Sequence, residues 1–96
     1  MFPKDNPWRS RKYLEWVKSL PSVVSRIEPA GDAHHPKGHG FGGTVKCSDA
    51  FAIPVTRGEH TDFHNMTVEE WENKHGSQLV HALKTINRAL SEGVLK

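Results

Sequence analysis

The sequence has 96 residues, of which 35% are hydrophobic and 25% charged, and its formal net charge at pH 7 is +2. This length accommodates one small domain, which we predict at residues 9–96 after an extended arm at residues 1–8. The single cysteine, Cys47, excludes an internal disulfide and favours a reducing compartment, so we expect a cytoplasmic protein. No apolar run approaches the length of a membrane span, so no membrane partner is expected.

The first predicted element is an amphipathic helix from Ser10 to Leu20. Ser10 is a suitable N-cap and Pro21 stops the helix. The basic residues around it fit either a solvated helix face or contact with phosphate. The predicted buried face consists of Tyr13, Trp16, Val17 and Leu20.

Three short extended segments follow. Val23 to Ile27 is rich in β-branched residues and is predicted as a strand, and Asp32 to His35 as the strand that returns beside it. A glycine-rich loop spans Gly38 to Thr44, and Phe51 to Val55 is a second apolar segment with extended character.

The remaining chain is predicted to be helical. Arg57 to Asn65 has helical character, and Thr67-Val-Glu-Glu70 has the spacing of a capping box that opens a short helix, which Gly76 ends. The last helix is predicted from about Ser77 to Ser91. The fold class is therefore α+β, a small β-hairpin and one helix flanked by N- and C-terminal helices. The predicted buried stripe of the last helix is Leu79, Leu83, Ile86 and Leu90.

Four histidines form two pairs that favour a metal site. Residues four apart on a helix share a face, so His60 and His64 can reach one ion. Adjacent residues of an extended segment point to opposite sides, so one of His34 and His35 can bind metal while the other faces a substrate. That division suits hydrolysis, because a metal stabilises charge on phosphate and a neutral imidazole takes a proton from water. Either pair alone is typical of ordinary surface or core histidines.

Three other histidines carry weaker signals. His39 lies between glycines, where contact with a phosphate and a loop histidine without a role are equally compatible with the sequence. His75 and His81 fall on later helices and are interpreted as structural or solvent-facing.

Several segments resemble a known family. The spacing of the His34-His35 pair, a strand and the His-x-x-x-His helix resembles the ββα-metal core of HNH (His-Me finger) endonucleases. The run Ala33-His-His-Pro-Lys-Gly-His-Gly-Phe-Gly-Gly-Thr44 is closer still to one group of these enzymes. Within that superfamily the chain is similar to a phage and prophage group that includes the RecA-dependent nuclease of recombination enhancement. Arg11 to Pro21, Trp71 to Leu79 and Arg88 to Leu95 also resemble this group, so the similarity extends over nearly the whole chain.

The resemblance implies a role for each histidine of the two pairs. His34, His60 and His64 would bind one divalent ion (Mg, Mn, Ni or Zn), and His35 would be the general base. The usual asparagine of the HNH name has no clear equivalent here, and Asp49 or Ser48 would take over its role of bracing the loop that orients the base. The expected partners are DNA and a RecA-type recombinase, in the cytoplasm of a bacterial host.

The chain departs from this family at a second metal site. Relatives usually carry a structural zinc knuckle of cysteine and histidine residues. None of the equivalent positions here is a good zinc ligand, so no structural zinc is expected. These positions are Ser22, Ser25, Thr56 and Glu59.

The leading functional hypothesis is a phage-encoded, metal-dependent endonuclease that hydrolyses DNA phosphodiester bonds in recombination or DNA processing. The alternatives are a non-catalytic DNA- or protein-binding module on the same fold, and a histidine-rich structural protein. Each basic candidate below is equally compatible with a solvated surface charge. The candidate phosphate contacts are Lys37, His39, Lys46 and Arg57.

Overall fold

The computed structural model describes residues 7–38 and 46–95, whose four α-helices and one antiparallel strand pair confirm the predicted small α+β class. None of the helices in this part of the chain is long and apolar enough to cross a membrane. In chain order the elements are α1 (Arg11–Ser19), β1 (Asp32–His34), a 3₁₀ helix (Asp49–Phe51), β2 (Ile53–Val55), α2 (Arg57–Asn65), α3 (Val68–His75) and α4 (Gln78–Ser91).

The helix boundaries follow the capping signals of the sequence. The Ser10 hydroxyl accepts from the N–H of Tyr13 and opens α1, as predicted. Complete capping boxes, headed by Thr56 and Thr67, begin α2 and α3. Gly76 ends α3 with a φ of 95°, and an added Cβ there would lie 2.9 Å from His81 Nε2. Local sequence therefore determined where these helices begin and end.

The predicted strand from Val23 to Ile27 is wrong, because the chain forms a tight turn there. The N–H of Ser22 donates to the Ile27 carbonyl, and the N–H of Arg26 donates to the Ser22 carbonyl. The Ser22 hydroxyl also accepts from the N–H groups of Val24 and the next residue. These local bonds use the backbone groups that a strand would need, and so they outcompete strand formation.

Strand β1 instead pairs with β2, antiparallel, with Asp32 opposite Val55 and His34 opposite Ile53. The extended segment predicted from Phe51 to Val55 is therefore confirmed only for Ile53–Val55, because Phe51 is the last residue of the 3₁₀ helix. Two core clusters flank the strand pair. One contains Ile53, Val55, Phe63, Trp71 and Ala82, and the other contains Tyr13, Val17 and Ala89.

Helix α4 has the predicted length but not the predicted buried face. Leu79, Leu83 and Leu90 are 46%, 57% and 54% exposed. The helix is rotated because Gln78 is drawn into the interior by hydrogen bonds to His34 and to the backbone of Lys37. Small side chains then face the core and let the helix approach it closely. The buried residues of α4 are Gln78, Ala82, Thr85 and Ala89.

Candidate active site

One pocket of about 240 Å³ collects six of the residues singled out from the sequence. It lies where the end of β1 faces helix α2 and the segment that precedes the 3₁₀ helix. The sequence pattern thus located the pocket although it did not give its geometry. The lining residues are Ala33, His34, His35, Lys37, Lys46, His60 and His64.

His35 follows β1, and Asp49 holds its ring. Their Nε2 and Oδ1 atoms are 2.8 Å apart, and the buried carboxylate also accepts from the N–H of Ser10 and from Arg9. Burial opposes ionisation of Asp49, but the hydrogen bonds outweigh it and lower its pKa. A carboxylate only accepts, so Nε2 of His35 donates and Nδ1 is the basic nitrogen. Ser48, the other candidate for this role, uses its side chain to cap the 3₁₀ helix instead.

His34 is buried, and Gln78 at the start of α4 fixes its ring. The Gln78 amide is itself oriented by Lys37, whose N–H donates to Oε1 and whose carbonyl accepts from Nε2. Gln78 Oε1 lies 3.1 Å from His34 Nε2, so that nitrogen donates and Nδ1 carries the lone pair. Burial lowers the pKa of His34 to about 4. This imidazole is therefore uncharged at neutral pH.

His60 is held by a carboxylate that sequence reasoning missed. Its Nδ1 lies 3.1 Å from Asp32 Oδ2, and the same oxygen accepts from Arg57 at 3.1 Å. Because Nδ1 donates to the carboxylate, Nε2 of His60 keeps its lone pair. Asp32 precedes His34 by two residues in β1 and therefore lies on the same face, which is the signal that could have found it. Gln78 gave no such signal, because its inward direction depends on the rotation of α4.

The three predicted metal ligands lie side by side. The ring centroids of His34 and His60 are 5.2 Å apart, and those of His60 and His64 are 5.6 Å apart. Among residues 7–38 and 46–95, no group of three or more His, Cys, Asp or Glu side chains is arranged to hold a metal ion. The three imidazoles are therefore neighbours by their ring distances, and His64 is the exposed one.

The candidate phosphate contacts divide into three kinds. Lys37 and Lys46 line the pocket, and Lys37 Nζ lies 6.0 Å from the Phe63 ring. Arg57 lies beside the pocket, with its side chain 85% exposed and paired with Asp32. His39 lies outside the described residues, as does most of the glycine-rich loop.

The two later histidines have structural partners. The ring of His75 is 3.2 Å from Asp62 and packs against Trp71, with centroids 4.9 Å apart. His81 Nε2 donates to the carbonyl of His75 over 2.8 Å. Both contacts connect α3 to its neighbours, which agrees with the structural interpretation of these residues.

The four positions that the resemblance aligns with a zinc knuckle meet at one corner of the domain. Ser22 donates to Glu59 over 2.6 Å, and the N–H of Thr56 donates to the same carboxylate over 2.8 Å. Burial acts to raise the pKa of Glu59, but hydrogen bonds from Ser22, Thr56 and Ser25 lower it overall. A buried carboxylate with its own donors thus joins the 22–27 turn to helix α2.

Comparison with known proteins places the chain in a family without adding a function. A family model described as "Protein of unknown function (DUF968)" matches residues 1–93. The chain is also 44% identical over 94 residues to a protein of Escherichia coli (strain K12) described as "Uncharacterized protein YdfU". That match covers 97% of this chain and 26% of the relative, so the chain spans about a quarter of the length of this curated relative. No solved structure matches the chain.

Proposed function

The chain belongs to the DUF968 family of proteins of unknown function, and from its histidine pocket we propose that it is a metal-dependent endonuclease that hydrolyses DNA phosphodiester bonds. One observation carries the proposal. A single pocket holds a histidine oriented by a buried carboxylate, three further imidazoles and two lysines. In this reading β1, β2 and α2 are the ββα-metal core of an HNH endonuclease that is phage-encoded and acts in recombination or DNA processing.

The donor chemistry of the pocket fits a divalent cation. His34, His60 and His64 would hold the ion, and the pairing of His60 with Asp32 is the carboxylate–histidine arrangement that fixes a ligand's tautomer. When bound, such an ion supplies charge stabilisation at the phosphate and at the leaving oxygen. The low pKa of His34 keeps its lone pair available at neutral pH.

The chain's own residues would perform the proton transfer. Asp49 accepts from Nε2 of His35, and so Nδ1 of His35 takes a proton from the water that attacks phosphorus. A phosphorus–oxygen bond forms to the resulting hydroxide as the bond to the leaving oxygen breaks, and that oxygen keeps the electron pair and takes a proton from solvent. Lys37 and Lys46 lie in the same pocket, where their charges attract the phosphate.

Plasmid nicking with added Mg, Mn, Ni or Zn tests the proposal. His35→Ala should lose about 10²–10⁴-fold in rate, the usual contribution of a general base, while metal affinity measured by calorimetry stays unchanged. His64→Ala should weaken metal binding instead. His75→Gln, which alters a histidine outside the pocket, is the matched control and should cut at the wild-type rate.

Two results would contradict the proposal. If His35→Ala nicks as fast as the wild type, this histidine is not the base. If the wild type cuts no DNA with any of the metals, with or without a RecA-type recombinase, a non-catalytic binding module becomes the better description of the fold.

A further inference from the structure

A second concave surface lies away from the histidines, between helix α4 and the turn at residues 22–27. This groove of about 300 Å³ shares no lining residue with the histidine pocket. Its lining combines polar and apolar side chains and includes Pro54 of β2. Four basic side chains and no acidic side chain are among its lining residues. The basic residues are Arg26, His81, Lys84 and Arg88.

The charges of the groove are available to a ligand. Arg26 and Lys84 are exposed, and neither has an acidic partner within the described part of the chain. Arg88 pairs with Glu92 on the surface of α4, a type of ion pair that contributes little and is readily exchanged. His81 is the exception, because its Nε2 is committed to the His75 carbonyl.

Arg26 also occupies a backbone conformation that does not suit it. Its φ is 68°, in the left-handed region that disfavours any residue with a Cβ and that glycine adopts freely. The turn therefore favours a glycine at this position, yet an arginine stands there with its side chain lining the groove. Strained backbone conformations of this kind cluster at functional sites, ligand-binding sites among them.

We propose that this groove binds the phosphodiester backbone of DNA several nucleotides from the bond to be cut, an inference that rests on the proposed function. Helix α4 connects the two sites, since Gln78 contacts His34 and the cations follow one face of the same helix. From Gln78, Lys84 and Arg88 are about 9 and 15 Å along the helix axis. A DNA strand running along α4 would present phosphates at about 3.4 Å of axial rise, so Lys84 and Arg88 would meet phosphates roughly three to four nucleotides from the pocket.

A row of cations on one wall, faced by Arg26 on the other, fits an extended polyanion better than a single small anion. Contacts of this kind are independent of base sequence and position the duplex on the protein. The groove would thus hold the DNA in register while the histidine pocket acts on one phosphate.

Fluorescence anisotropy with a labelled duplex of about 20 base pairs, in EDTA over a range of salt, tests the groove without cleavage. Arg26→Gly and Lys84→Gln should each weaken binding several-fold and lower the slope of log K against log[salt] by about 0.9. Lys74→Gln removes the same charge outside the groove and should leave both quantities unchanged. Arg26→Gly should fold normally, because glycine suits the left-handed φ.

The outcomes separate the groove from the proposed catalysis. The groove assignment is wrong if Arg26→Gly and Lys84→Gln bind like Lys74→Gln, or if the wild type binds no duplex. A protein that binds DNA through the groove but never cuts it would refute only the nuclease proposal.

Discussion

Acidification should destabilise the metal-free protein through His34. Burial lowers the pKa of this imidazole from 6.5 to about 4 in the folded state. Between these two values the unfolded chain binds the proton and the folded chain does not, so stability is lost as pH falls from 6.5 toward 4. Lowering the pH from 7 to 5 should therefore cost about 2 kcal/mol from this group. In a domain of this size that loss corresponds to a fall of roughly 10 °C in Tm.

The assay is urea or thermal denaturation in EDTA at pH 7 and pH 5, with His34→Gln as the test variant. Glutamine keeps an amide near Gln78 but cannot titrate, so His34→Gln should lack about 2 kcal/mol of the acid-induced loss. Titrations shared by both proteins cancel in this comparison. His64→Gln, at an exposed histidine of the same pocket, should keep the full wild-type loss. An equal loss in wild type and His34→Gln would show that burial does not hold this imidazole neutral.

Three further predictions concern the orienting carboxylate, the buried corner and the rotation of α4. Asp49→Asn should lower the nicking rate about 10–100-fold with little change in metal affinity, because the amide can present its NH₂ group to His35 and so no longer fixes the tautomer in which Nε2 donates. Glu59→Ala should destabilise the protein by about 1–3 kcal/mol in urea denaturation, since buried donors lose their acceptor, and a smaller loss would refute a structural role for the corner. On α4, Leu83→Ala should cost under about 1 kcal/mol and Ala82→Leu about 1–3 kcal/mol in thermal unfolding, and the reverse order would contradict the observed helix rotation.

The helices and the membership of the site could be predicted from the sequence because both depend on local rules. Capping residues such as Ser10, Thr56 and Thr67 satisfy backbone groups within their own helix ends, so their effect does not depend on the rest of the fold. The spacing of His60 and His64 places both on one face of any helix that contains them. Short-range geometry alone therefore indicated the helices and the histidines that share the pocket.

Only the tertiary structure decided which strands pair, which face of α4 is buried and how each imidazole is oriented. Ser22 could serve a strand or a turn, and its bond to Glu59, 37 positions away, is part of what holds the turn. The leucines of α4 form a regular stripe, yet Gln78 rotates the helix because its amide must reach partners on another segment. Hydrogen bonds between segments far apart in the sequence determine these features, and the periodicity of the sequence does not predict such bonds.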